Sequence, residues 1–211
     1  MARQARAEQA ETTTTRRGYH HGNLREALLV ATEALIAEVG PDGFTLADAC
    51  RRAGVSTAAP YRHFEDRNAL LAAVCMRGYD ALAVATGGAK ASLPEGSVES
   101  ILAGGRAYLG FALENPERFR LMFGHRPEIK SQPQVEQTGR ACFVNLLDSV
   151  SAFLAKQGRP QEDPMPLALR LWSLVHGVAS LVLDGPMDII APGRDPEVLI
   201  DEAGRAILAA A

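Results

Sequence analysis

Residues 44–71 read Phe-Thr-Leu-Ala-Asp-Ala-Cys-Arg-Arg-Ala-Gly-Val-Ser-Thr-Ala-Ala-Pro-Tyr-Arg-His-Phe-Glu-Asp-Arg-Asn-Ala-Leu-Leu, a pattern that writes two short helices around one tight turn. Thr45 is a good N-cap, and Leu46, Ala49, Cys50 and Ala53 follow at the steps of a single helix face. Gly54 ends that helix, because glycine enters the left-handed C-terminal conformation without a Cβ penalty, and Val55 is placed to pack back onto it. Ser56 opens a second helix, expected over 56–64, where Pro60 still lies in the first turn and removes at most one hydrogen bond. Its outward positions, Thr57, Ala58, Ala59, Tyr61, Arg62 and His63, set small residues beside hydrogen-bonding ones, while Phe64 returns the chain to the core. Small side chains let a backbone approach base edges, and Thr and Tyr can then reach bases or phosphates. The stretch therefore predicts a helix-turn-helix facing the major groove of double-stranded DNA.

Working outward, residues 1–18 are rich in Ala, Gln, Glu, Thr and Arg without large apolar side chains, which predicts a disordered arm. A first helix follows, with Leu24, Leu28, Ala31, Leu35 and Val39 as its stripe and Gly40-Pro41 as its stop. After the helix-turn-helix, a helix from about Asp66 to Ala85 is expected to end at Gly87-Gly88. This divides the chain into the arm (1–18), a DNA-binding domain (19–66), a connecting helix (67–88) and a larger domain (89–211). Helices are expected there at 97–114, 116–123, 134–157, 164–184 and 196–210, with Asn115 and Asp195 as caps ahead of prolines. No strand alternation competes and no repeat of fixed period appears, so the fold class is all-α.

At 211 residues and 47% hydrophobic content the chain can bury a sizeable core. No apolar run suggests a membrane span and no secretion signal leads the chain, so a cytoplasmic protein with no membrane partner is expected. Cys50, Cys75 and Cys142 are odd in number and lack Cys-x-x-Cys spacing, so they read as reduced core residues and not as a disulfide or zinc framework. Residues 1–64 carry eight arginines against seven acidic residues, a balance of +1, and the rest of the chain is acidic at −4. A neutral half is a faint footprint for nucleic acid, so placement carries the argument. Arg16, Arg17, Arg62, His63 and Arg67 can converge on phosphates, whereas Arg51 and Arg52 read as solvated surface. No nucleophile elbow, phosphate-binding loop, dinucleotide fingerprint or His-Glu-x-x-His run occurs. His20-His21 lacks a carboxylate or cysteine cluster beside it. The expectation is no enzyme, no cofactor and no metal.

The run from Leu24 to Leu71, with Gly-Phe-Thr-Leu, Arg-Ala-Gly-Val-Ser and Tyr-Arg-His-Phe-Glu-Asp-Arg, resembles the DNA-binding domain of TetR-type (TetR/AcrR-like) transcriptional regulators. Trp172-x-x-x-His176-Gly177, together with Asn-Pro-Glu-Arg-Phe-Arg-Leu-Met-Phe at 115–123, is similar to a subgroup with a Trp-His-Gly C-terminal domain and extends the likeness from residue 19 to about 210. The resemblance implies a regulator, by default a repressor, that binds a palindromic operator as a homodimer and is released by a small-molecule effector. Carried over position by position, it implies that Thr57, Ala58, Ala59 and Tyr61 face base edges and that Thr45, His63 and Arg67 face phosphates. Arg62 lies on the same helix, and Arg16 and Arg17 add minor-groove contacts. Ala59-Pro60 stands where Thr-Leu is usual, and Arg62 replaces a frequent aromatic residue.

The resemblance also implies that the last two helices pair with their symmetry mates. The apolar face Trp172, Val175, His176, Ala179, Val182 and Leu183 reads equally as that interface or as core. Tyr108, Phe111, Phe119, Phe123, Phe143, Phe153, Trp172 and His176 are the candidate walls of an effector pocket. A helical interaction or sensor protein without sequence-specific DNA binding is the alternative reading.

Overall fold

Proline and glycine set most of the helix boundaries. In the computed structural model, which describes residues 24–211, α5 (Pro116–Phe123), α6 (Pro127–Lys130), α7 (Pro133–Lys156), α9 (Pro186–Ile190) and α10 (Pro196–Ala209) all begin at a proline. There the missing N–H has no partner to lose and the fixed φ suits the first turn. The other helices are α1 (Leu24–Val39), α2 (Leu46–Ala53), α3 (Arg67–Lys90), α4 (Val98–Glu114) and α8 (Met165–Leu183), and no strand occurs among the described residues.

Around α2 the Thr45 cap and the Gly54 stop form as the sequence predicts, and Asp48 closes the cap from the other side. Thr45 Oγ1 accepts from the Asp48 amide at 3.2 Å while the Thr45 amide donates to Asp48 Oδ2 at 2.8 Å, a reciprocal capping box. Gly54 has φ 69°, its amide reaching the Arg51 carbonyl while that of Val55 reaches Cys50.

The second helix is not the α-helix expected over 56–64. Ala59 N–H turns back to the Ser56 carbonyl at 3.0 Å, and a single 3-10 turn covers Pro60–Arg62. Pro60 has no N–H to give Ser56, so the first i→i−4 bond cannot form and the chain tightens. Asn115 also differs: its side-chain amide donates to the Phe111 carbonyl at 3.1 Å, closing α4 instead of capping α5, whereas Asp195 caps α10 through the Glu197 amide at 2.8 Å.

α3 is the axis of the molecule. Leu70 through Cys75 are nearly inaccessible, and the helix packs on α1 at one end and on α4, α5, α6 and α7 along the rest. It does not stop at Gly87-Gly88 but continues to Lys90, whose ammonium donates to the Asn145 carbonyl (3.2 Å) and Ser149 Oγ (2.7 Å) on α7. A Cβ at either glycine would meet nothing within 4 Å, so this stretch of α3 lies open to solvent and the anchor at Lys90 holds it.

A correction concerns membrane length. By length and composition α3 and α8 could each span a bilayer, contrary to the reading of apolar runs alone, yet both contribute buried faces to the helical core. A core helix of a large bundle passes the same test. On α8 the stripe faces inward: Val175 and Ala179 are buried, and Trp172, Val182 and Leu183 pack against the same core. The opposite face presents Ser173, Gly177 and Leu181.

Candidate nucleic-acid interface and effector cavity

At the reader end, Pro60 and Phe64 are buried and act as the two anchors of the short 3-10 segment. Between and beside them Thr57, Ala58, Tyr61, Arg62 and His63 are exposed, Tyr61 at 65%, while Ala59 is half-buried and turned partly away. The guanidinium of Arg25 lies 5.5 Å from the Phe64 ring centroid and closes the anchor from the α1 side. Thr45 is exposed with its hydroxyl held on Asp48. Arg51 and Arg52 are engaged by Asp48 (2.8 Å) and Glu38 (2.5 Å), as surface ion pairs. Arg16, Arg17 and His20-His21 lie outside the described residues.

Arg67 sits differently from the phosphate-facing role expected of it. Its Nε donates to the Phe44 carbonyl at 3.1 Å, Nη2 donates to the Pro41 carbonyl, and the guanidinium stacks 4.8 Å from the Phe44 ring centroid. Its fork satisfies two turn carbonyls that α1 and α2 leave over, which draws the group inward. Arg67 thereby fixes the turn that carries Thr45.

Beyond α3 the bundle is hollow. A cavity of about 670 Å³ lies among α3, α4, α7 and α8, bounded by Phe123 and Lys130 at the α5–α6 end. Of the aromatic candidates, Tyr108, Phe123, Phe143 and Trp172 line it. Phe111, Phe119, Phe153 and His176 do not. Phe111 and Phe119 are buried in the main core, Phe153 in a smaller cluster with Val150, Leu154 and Leu167, and His176 backs the wall from behind. Helical spacing identifies an inward face but not whether that face meets packed atoms or empty space.

The sequence reading missed the polar part of the lining: Tyr79, Thr86 and Lys90 on α3, Lys130 at the end of α6, and Asn145 and Ser149 on α7. The available signal is that Tyr79, Leu82, Thr86 and Lys90 recur at helical steps, so three hydrogen-bonding groups share one face of an otherwise apolar helix.

Tyr108 organises the aromatic wall. Its hydroxyl lies 2.9 Å from His176 Nδ1, beside the Trp172 ring. Burial, with the Lys130 charge adding to it, lowers the His176 pKa, and the neutral imidazole is the form that can accept. Burial likewise pushes the Cys75 and Cys142 thiols up to about 11, so both stay protonated near neutral pH.

The cavity wall is tied to the reader end. Phe123 ends α5, and on the same helix Arg118 reaches Glu33 of α1 at 3.5 Å; Arg126, just before α6, makes a two-pronged contact with Asp42 in the α1–α2 turn at 2.9 and 2.5 Å. Tyr79, in the cavity wall on α3, donates to the Met122 carbonyl at 2.9 Å.

Residues 28–74 match the family described as bacterial regulatory proteins, tetR family, and residues 101–207 match the tetracyclin repressor-like C-terminal domain. No functionally curated protein matches the chain. Among solved structures, a protein of unknown function from Rhodococcus sp. RHA1 is 32% identical with a TM-score of 0.80, covering 92% of this chain and 98% of its own. The TetR family transcriptional regulator PfmR from Thermus thermophilus shares the fold at 21% identity and a TM-score of 0.60, over 86% of this chain and 97% of its own. NalD, the secondary repressor of the MexAB-OprM multidrug efflux pump in Pseudomonas aeruginosa, does so at 20% identity and 0.59, over 86% and 96%. With an exposed reader at one end and a hollow helical domain at the other, the chain belongs to the TetR family and is a ligand-responsive DNA-binding transcriptional regulator.

Proposed function

We propose that the protein is a cytoplasmic repressor that holds a palindromic operator as a homodimer and lets go when a small molecule fills the cavity. The observation that carries this reading is the continuity of α3, one helix with its first turn beside the reader and its later turns, from Tyr79 to Lys90, in the cavity wall. A ligand that prefers a wider cavity lowers DNA affinity by its differential affinity for that state. Thr57, Ala58 and Tyr61 are assigned to base edges, Thr45, Arg62 and His63 to phosphates, and Arg67 to positioning the turn beneath Thr45. In this reading residues 19–66 bind DNA, 67–88 connect and 89–211 take the ligand and the partner chain, with α3, which runs on to Lys90, as the lever.

Support for the dimer comes from the outward face of α8, where a Cβ at Gly177 would meet nothing within 4 Å and Leu181 is 46% exposed, together with the exposed Val198 and Leu199 on α10. Small residues beside exposed aliphatic ones let a second pair of helices approach closely. Two readers held this way meet half-sites about 34–36 Å apart.

Selection of bound genomic fragments followed by gel shift across a salt series tests the reading. Sequence-selective binding that Tyr61→Ala abolishes, by a particle of twice the chain mass that Leu181→Glu dissociates, is the expected result. Binding indifferent to sequence would favour a sensor without an operator.

A further inference from the structure

The cavity described above carries an imbalance of charge. Its described lining includes Lys90, Lys130 and Arg140 and no Asp or Glu. Two of the three cations are already satisfied. Arg140 holds Glu136 at 2.5 Å, and Lys90, whose pKa burial lowers and Asp148 only partly restores, has its ammonium donating to the Asn145 carbonyl and Ser149 Oγ. Lys130 makes no ion pair with a carboxylate among the described residues. It is half-buried at the C-terminus of α6, and the groups that sense it are the protonated Cys75 thiol and the neutral His176 ring.

A half-buried ammonium facing apolar walls is costly unless an anion meets it, and burial accordingly lowers the Lys130 pKa. The rest of the wall is suited to rings: Tyr108 and Phe123 have centroids 6.1 Å apart, and Phe143 and Trp172 lie 5.9 Å apart at a steep angle.

We infer that the effector is an apolar, ring-bearing carboxylic acid whose carboxylate pairs with Lys130 while its body lies among Tyr108, Phe123, Phe143 and Trp172. This rests on the cavity being the effector site. A neutral ligand would leave the Lys130 charge without a counter-charge, and a cation would be repelled by it. A cavity of about 670 Å³ is of the size that encloses one such molecule.

Trp172 is the chain's single tryptophan and stands in the wall, so its fluorescence reports occupancy directly. Titration of the full chain with 1-pyrenebutyrate and with its methyl ester is expected to quench Trp172 by energy transfer, the acid binding at least about tenfold more tightly than the ester, the scale of one charge-assisted hydrogen bond. Lys130→Met should bring the acid-to-ester ratio close to one while leaving ester binding in place, and Lys130→Arg should retain the preference. Equal binding of acid and ester by the wild type, a ratio unchanged in Lys130→Met, or a ratio that collapses only in Lys90→Met would each overturn the assignment while leaving the cavity as the effector site. Absence of quenching by either probe would overturn both.

Discussion

The two ends of this molecule are built on opposite plans. The reader end is packed solid: Leu28, Ala49, Leu70 and Leu71 are inaccessible, and the exposed tip is fixed by a capping box, a glycine stop and the Arg67 fork. The other end holds a half-open cavity of about 670 Å³ with hydrogen-bonding groups spaced around apolar walls. A surface that reads base edges must be held in one geometry, whereas a sensor needs volume that a ligand can fill and a wall that can yield.

That contrast can be attacked by substitution. Leu71→Ala should cost about 2–5 kcal/mol in chemical denaturation, because the surrounding solid core cannot collapse onto the gap. Arg67→Met should cost about 2 kcal/mol, since two turn carbonyls lose their donor. Its DNA affinity should follow the lost stability with the salt slope unchanged. A slope reduced by about 1 would instead place Arg67 on a phosphate. Phe143→Ala at the hollow end should cost only about 1–2 kcal/mol, below the closed-core range for phenylalanine, because this ring already borders empty space. An equal loss at Leu71 and Phe143 would erase the contrast.

Two smaller effects sharpen it. The Thr32 hydroxyl is buried with no hydrogen-bond partner among the described residues, so Thr32→Val should raise stability by about 1 kcal/mol, read as a higher Tm. The Arg126 hydrogen bond holds the Asp42 carboxyl below its ordinary pKa, partly offset by desolvation. A depressed folded-state pKa gives stability that is present above the unfolded carboxylate value of about 3.9 and is lost as pH falls through the lower folded value. With the Asp42 side chain 75% exposed, Asp42→Asn should change stability by less than about 0.5 kcal/mol at pH 7 and flatten the acid limb slightly. Its larger readout is expected in the ligand-induced loss of DNA affinity, because the pair links the reader turn to the effector domain.

How much was legible follows the range of the forces involved. Thr45, Gly54 and the prolines opening α5 and α10 act within one turn of themselves, so the sequence carried them. The same local rule, applied to Pro60 as a first-turn residue, gave a helix where the chain makes a 3-10 turn, because a missing donor weighs more in a segment this short. Gly87-Gly88 read as a stop, yet α3 continues because Lys90 finds acceptors on α7, more than fifty residues away in the chain.

From the chain's own letters came the all-helical class, the capped helix with its glycine stop and the family, since caps, stops and apolar periods are local and repeat wherever those residues stand. Only the tertiary structure decided that Arg67 turns inward, that the α8 stripe is core, that half of the proposed aromatic wall lies behind the cavity, and that Lys130 lines it with no carboxylate paired to it among the described residues. Each of these depends on which distant atoms a side chain meets and on where atoms are missing, and neither is written in the spacing of residues along a helix.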